Sequence, residues 1–326
     1  MKVGVTEDIR GDDGNPVYDL SLLDESADVS WDWMSGADDL SPADLAPFDA
    51  ILLFHPRVTA VSLRGVERLR LIARLGVGVD NIDVPACTAA SVLVTTTPDG
   101  VRRPMASGAM AFILALAHRL PERDRHVRAG GWDRFAHIGI GLDGRTLGII
   151  GLGNVGRDLV GLAAPFGLRI VAHDPFVTVP PESVELCTLE TLLETADVAV
   201  VACPLTDETR HLLNAERLAT MKPTAYLVNI ARGPIVDGAA LADALRAGRL
   251  AGAGLDVFEQ EPADPDDPLL TLENVIVAPH AVGLTDELFR LGGISVCRAV
   301  LDVQAGRMPE FPLNPDAARG LAARSS

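Results

Sequence analysis

Thr146-Leu147-Gly148-Ile149-Ile150-Gly151-Leu152-Gly153-Asn154-Val155-Gly156 is the stretch from which the fold of this chain can be read. Its first five residues have the pattern of a buried strand, and a helix pattern follows from Arg157. Between them stand three glycines spaced G-x-G-x-x-G. In that setting each glycine serves a distinct physical purpose. Gly151 allows a tight turn, Gly153 lets the backbone approach a pyrophosphate closely, and Gly156 lets helix pack closely on strand. The N–H groups that open the helix, around Asn154 and Val155, suit the phosphates. A second strand, residues 169–173, ends just before Asp174. A carboxylate about 20 residues past the glycines binds ribose hydroxyls and repels a 2′-phosphate, which favours NAD over NADP. The plainer reading, that Asp174 only caps a turn before Pro175, stays open at this point.

Working outward, short apolar runs alternate with helical patterns on both sides of this stretch. Strands are expected over residues 2–6, 50–54, 71–75 and 92–95, with helices near 62–68 and 84–90. Thr97-Pro98-Asp99-Gly100 reads as a turn, followed by a long helix over 104–120. Further strands are expected at 198–202, 225–230, 254–258 and 275–278, and a second long helix at 284–305. The tail from Pro312 reads as irregular. The expected architecture is α/β, with two doubly wound parallel-sheet domains and a cleft between them. Residues 1–98 with 284–326 would form one domain, and 99–283 the dinucleotide-binding domain.

The chain has 326 residues, 48% of them hydrophobic, and a formal charge of −17. That length and apolar content support two cores. The charge argues against nucleic acid or an anionic membrane as partner. Lys2 and Lys222 are the only lysines, and no Gly-Lys-Ser/Thr phosphate loop is present, so Schiff-base chemistry is not expected. Cys87, Cys187, Cys203 and Cys297 are scattered, with no C-x-x-C pair and no metal-ligand spacing, as in a reduced cytoplasmic protein. Residues 1–5 do not read as a signal peptide. No apolar run reaches the ~18 residues that a membrane span requires.

Downstream of the glycines, three polar residues close short apolar runs. Arg232 lies in Asn229-Ile230-Ala231-Arg232-Gly233, Glu261 in Asp256-Val257-Phe258-Glu259-Gln260-Glu261-Pro262, and His280 in Ala278-Pro279-His280. A guanidinium, a carboxylate and an imidazole so placed can hold a carboxylate substrate and move a proton while a nicotinamide moves a hydride. Singly, each could be a solvated charge or a core histidine. The other histidines lack such context and read as structural or exposed. Trp31 and Trp33 read as a packing cluster.

Four blocks together resemble the D-isomer-specific 2-hydroxyacid dehydrogenase family over roughly residues 3–303. They are Arg74-Leu75-Gly76-Val77-Gly78-Val79-Asp80-Asn81-Ile82-Asp83, the glycine loop, the run from Met221-Lys222-Pro223 to Arg232-Gly233, and Gly254-Leu255-Asp256-Val257-Phe258 with Glu261-Pro262, closing on Pro279-His280. The resemblance implies a flavodoxin-like substrate domain, a Rossmann NAD-binding domain and a homodimer. It implies that Arg232 clamps the substrate carboxylate, that His280 is the acid/base, and that Glu261 hydrogen-bonds the imidazole. Backbone N–H groups at Val77 and Gly78 would hold the carboxylate. Asp256 would orient the nicotinamide, and Cys203, Pro204, Thr209, Ile230 and Ala231 would line the cofactor.

Two features depart from the family or extend it. Met105-Ala106-Ser107 stands where the family carries an acid. Arg57, or less readily Arg102, is placed to meet a second anionic group on the substrate, although a solvated arginine explains either. The implied activity is NAD-dependent interconversion of a 2-keto acid and a D-2-hydroxy acid. Oxidation of an unusual hydride donor such as phosphite, and a non-catalytic NAD-sensing corepressor, are the competing readings.

Overall fold

Runs such as Ala50-Ile51-Leu52-Leu53 and Val198-Ala199-Val200-Val201 are apolar at every position, so both faces of the strands they form must be covered. The computed structural model, which describes residues 1–34 and 36–318, meets that demand in two compact units. One comprises Met1–Val101 with the chain from Leu284 on, the other Arg102–Gly283.

In the first unit β1 (Lys2–Thr6), β2 (Ser30–Met34), β3 (Ala50–Leu53), β4 (Leu71–Arg74) and β5 (Leu93–Thr95) form a parallel sheet in the order β2-β1-β3-β4-β5. This is the flavodoxin-like 2-1-3-4-5 order. Helices α1 (Ser21–Asp24), α2 (Pro42–Leu45) and α3 (Val84–Ala89) are short. Strand β2 is not evident in the sequence, because Ser-Trp-Asp-Trp-Met sits half-exposed at the sheet edge. There Trp31 and Trp33 pack edge to face, with ring centroids 5.5 Å apart.

The helix expected near Ser62–Arg68 does not form; the chain makes turns there instead. Ser62 Oγ accepts from the Thr59 N–H at 2.9 Å, and Gly65 takes φ of +69°. A side chain bonded to nearby backbone offers the chain an alternative to the helical ladder.

The second unit opens within α4 (Pro98–Ala117), followed by α5 (Leu120–Arg128). Thr97-Pro98-Asp99-Gly100 therefore starts a helix rather than a loop. Pro98 is suited to the first turn, where its missing N–H has no intrahelical use. The helix stops before Leu120 because Arg119 turns left-handed, at φ +49°.

Seven strands follow: β6 (Thr146–Ile150), β7 (Arg169–His173), β8 (Val184–Leu186), β9 (Val198–Val201), β10 (Tyr226–Asn229), β11 (Gly252–Leu255) and β12 (Val275–Val277). Their order, β12-β11-β10-β9-β6-β7-β8, is all parallel and reverses direction beside β6. Helices α6 (Asn154–Ala163), α7 (Leu189–Thr195), α8 (Ala215–Thr220) and α9 (Gly238–Arg246) complete the unit. Alternate residues of the strands enter two cores. Ile150, Val201, Leu227 and Leu255 pack with α7, α8 and α9. Leu147, Ile149, Val200 and Val228 pack with α4 and α6.

The chain returns to the first unit in α10 (Asp286–Gln304). Gly100 and Gly292 let α4 and α10 touch backbone to backbone; a Cβ on Gly100 would lie 2.6 Å from Gly292 N. The segment after Pro312, expected to be irregular, covers the free edge of β5. Leu313 donates to Val94 O, and the Asn314 side chain bonds Val94, Thr88 and Val92. An edge strand covered in this way offers no template for pairing with another chain.

Candidate active site

Because the second sheet is parallel, every strand delivers its following loop to the same edge. Ligands of such sheets gather at the carboxyl ends, where the strand order reverses. The glycine loop leaves β6 here, Asp174 follows β7, Cys203 follows β9, Arg232 follows β10, Asp256 follows β11, and His280 follows β12.

The glycine loop fits a dinucleotide in three separate ways. Gly151 has φ +97°, and a Cβ there would lie 2.6 Å from Cys203 N. A Cβ on Gly156 would overlap the Gly151 carbonyl. Gly153 is different: nothing lies within 4 Å of where its Cβ would be. Its lack of a side chain serves no protein contact and leaves room for a phosphate. Helix α6 begins at Asn154, three residues before the sequence pattern suggests, so the N–H groups of Asn154 and Val155, next to Gly153, fall in its first turn and have no intrahelical acceptors. Asp174 ties the turn together. Its Oδ2 accepts from Leu152 N–H at 2.8 Å and its Oδ1 from Phe176 N–H at 2.9 Å, and each oxygen keeps a further lone pair for a ribose hydroxyl.

Thr209 folds the neighbouring loop: its hydroxyl donates to Pro204 O at 2.8 Å and accepts from Thr206 N–H at 2.7 Å. Cys203 packs its backbone on Gly151, and burial pushes its thiol up to about 11.

His280 and Glu261 meet, with Nδ1 2.7 Å from Oε2. The other carboxylate oxygen, Oε1, accepts from the Phe258 N–H at 3.0 Å. Burial pushes the Glu261 carboxyl up, but the bonds from His280 and Phe258 and the nearby charges of His280 and Arg232 outweigh it. The group is held below its ordinary value. An ionised carboxylate can only accept, so Nδ1 carries the proton and Nε2 is the nitrogen left to exchange one.

The backbone at His280 is left-handed, at φ +55°, a conformation that non-glycine residues seldom adopt. Asp256 holds it there. The Asp256 carbonyl accepts from His280 N–H at 2.7 Å, and Oδ1 accepts from Ala281 and Val282 N–H at 2.8 and 2.9 Å. Asp256 is 1% exposed. Burial raises its carboxyl above the ordinary value, and the two N–H bonds offset only part of that.

Arg232 is placed by a residue for which the sequence suggests no role. Asn229, buried at the end of β10, donates from Nδ2 to Arg232 O at 3.0 Å and accepts at Oδ1 from Ala231 N–H at 3.1 Å. Ile230 is buried and Ala231 half-buried in the loop so formed. The signal for Asn229 was a polar residue closing an apolar strand. Gly233 then packs on the Phe258–Glu259 peptide so closely that a Cβ would overlap the Phe258 carbonyl. The loop of Arg232 and the loop of Glu261 are thereby pressed together, and Coulomb interaction between the two side chains follows.

Arg57, Val77 and Gly78 lie in the first unit. Arg74 shapes the loop after β4: its Nε donates to Gly78 O at 3.0 Å, a second nitrogen donates to Leu75 O, and its guanidinium lies over the Phe54 ring. Among the described residues, no acceptor pairs with the Val77 or Gly78 N–H. Asn81 Nδ2 binds the carbonyls of Phe54, His55 and Pro56 and so ties the loop after β3 to the same region. Arg57 is exposed and pairs with Asp39 at 3.3 Å. In the second unit Arg102 pairs with Asp158 at 3.6 Å.

A seven-stranded Rossmann sheet, a glycine loop with open space at its middle glycine, and an arginine, glutamate and histidine on adjacent strand ends define a nicotinamide-dependent oxidoreductase. Comparison with known proteins narrows this. The family pattern described as D-isomer specific 2-hydroxyacid dehydrogenase, NAD binding domain, matches residues 110–282. A glyoxylate reductase of Thermofilum pendens is 38% identical over 315 residues, 92% of each chain. A D-3-phosphoglycerate dehydrogenase of Methanocaldococcus jannaschii is 40% identical over 264 residues, 79% of this chain and 50% of that one. Among solved structures, TT0316 protein from Thermus thermophilus is 34% identical with a TM-score of 0.85, covering 96% of this chain and all of the other. The D-lactate dehydrogenase of Aquifex aeolicus, complexed with NAD and lactic acid, is 27% identical with a TM-score of 0.80, covering 98% of each. The chain belongs to the D-isomer-specific 2-hydroxyacid dehydrogenase family, and its cofactor is NAD.

Proposed function

We propose that this chain reduces a small 2-keto acid to the D-2-hydroxy acid with NADH. The 2.7 Å contact between His280 and Glu261, on a loop pressed against the strand end that bears Arg232, carries this reading. NADH supplies the hydride. The Arg232 guanidinium binds the substrate carboxylate through its planar fork of donors. His280 gives the proton on Nε2 to the carbonyl oxygen and recovers it in the reverse direction. Glu261 keeps Nδ1 protonated and balances the charge on the ring. Asp256 fixes the segment on which His280 sits. In the first unit, the free N–H groups of Val77 and Gly78 are offered to a carboxylate.

A monoanionic substrate of glyoxylate or hydroxypyruvate size is favoured. The glyoxylate reductase relative matches over nearly its whole length, whereas the chain spans half of the phosphoglycerate dehydrogenase. Arg57 would have to leave Asp39 before it could meet a second anion, although exchange of an exposed pair costs little.

The test is NADH oxidation against glyoxylate, hydroxypyruvate, phenylpyruvate, oxaloacetate, phosphonopyruvate and 3-phosphohydroxypyruvate, each repeated with NADPH. Turnover strongest with a small monoanion and NADH is expected. A preference for the phosphorylated acids would overturn the substrate class. Silence across the panel with NADH still bound would overturn the reductase reading, in favour of a donor such as phosphite or a non-catalytic NAD sensor.

The working form is a cytoplasmic homodimer joined through the second unit. Helix α5 buries none of its residues. It lies beside a segment carrying Trp132, Phe135 and Ile138 at 77%, 81% and 67% exposure. Large apolar side chains exposed together on one short segment suit an interaction site. All four cysteines are free, as suits a reducing compartment.

A further inference from the structure

The loop that carries Glu261 holds a second carboxylate–imidazole pair. Glu259 forks: Oε1 accepts from the N–H of Gly238, the first residue of α9, at 2.8 Å, and Oε2 meets His211 Nε2 at 2.9 Å. His211 is itself anchored, because its backbone N–H donates to Pro234 O at 2.8 Å. Two carboxylates two residues apart thus face two different imidazoles. One bond leads to the proposed acid and the other ties the loop to the scaffold.

Packing alone does not hold this loop. Phe258 is buried, and Gly233 supports the peptide after it. The loop also borders an open pocket of about 310 Å³, lined in part by Gly233, Phe258, Glu259, Gln260 and Asp264. The bond from Phe258 N–H to Glu261 is internal to the loop and moves with it. His280, in contrast, is anchored separately on Asp256. A loop free to shift would carry Glu261 away from a fixed imidazole.

We propose that His211 and Glu259 are positioning residues for the chemistry at His280: the Glu259 fork holds the loop, and through it the contact between Glu261 and His280. This rests on the assignment of His280 as the acid. Displacing a catalytic group by an ångström costs on the order of 10²-fold in rate, and one lost tether allows part of that.

The experiment compares H211A and H211Q with the parent enzyme. His211 is roughly half-exposed, and both variants keep the Glu259 bond to α9, so the fold is retained. In H211A, kcat falls roughly 5- to 20-fold, a fraction of the full displacement cost, while KM for NADH and keto acid stays near the parental value. H211Q, whose amide nitrogen reaches the position of Nε2, recovers most of the loss. A readout free of turnover is the Nδ1–H signal of His280 in protein labelled with nitrogen-15 at histidine. It is sharp in the parent and in H211Q, and broadened by solvent exchange in H211A. Parental kcat together with a parental His280 signal in H211A overturns the proposal. If the parent is silent on every keto acid yet the signal still broadens in H211A, the positioning role stands and the reductase reading is the part that fails.

Discussion

His280 and Glu261 lie 19 residues apart in the chain, and their 2.7 Å contact is the basis of the proton chemistry proposed for the site. That contact also has a pH signature. The folded-state pKa of Glu261 lies below its ordinary value of 4.5. A carboxyl lowered on folding stabilises the fold above its unfolded pKa and loses that contribution as pH falls through the folded one. Urea melts of the parent and of E261Q should therefore show a gap in stability that is lost in acid, as pH drops below 4.5. A gap that persists undiminished well below that pH would show that another group is responsible. At this scale the identities of Arg232, Glu261 and His280 were legible, since each is a polar residue closing an apolar run. The roles of Asn229 and Asp256 as backbone clamps were not, because hydrogen bonds to loop N–H groups follow from how the loops turn.

Among the elements, the turns beside the strands set the geometry of the site, and two glycines separate binding from folding. Gly153 has open space where a Cβ would stand, whereas Gly233 packs directly on the Phe258–Glu259 peptide. Gly153→Ala should therefore keep the parental Tm and weaken NADH binding about tenfold, equivalent to about 1.4 kcal/mol. Gly233→Ala forces apart the loops of Arg232 and Glu261. It should cost about 1–3 kcal/mol of stability, the usual effect of overpacking, and lower kcat as well. Calorimetric melts with NADH titration would separate the two. A destabilised Gly153→Ala with unchanged NADH affinity would refute the phosphate-binding role of that loop. The buried strands were readable from their apolar runs, whereas the edge strands β2 and β8, partly exposed, were not. Failures fell where local chemistry competes with periodicity, as at Ser62, whose hydroxyl closes a turn where a helix was expected. At Gly100 the reason lies outside the helix, in the backbone of Gly292.

For the whole molecule, the exposed rings of Trp132 and Phe135 beside α5 are the basis of the proposed dimer surface. Replacing both with serine should convert a sedimenting dimer into a monomer in analytical ultracentrifugation. A double variant that still sediments as the dimer would move the interface elsewhere. The sequence by itself determined the class of fold, the dinucleotide loop and the family, and it singled out the residues proposed for the chemistry. Those depend on hydrophobic period, on the special conformations of glycine, and on side-chain type, all local properties of the chain. Tertiary structure alone decided that Glu261 points to His280 and Glu259 to His211, and that Asn229 and Gly233 present Arg232. Each of these is settled by which backbone groups are left unpaired once distant strands and loops have come together, and no local pattern encodes that.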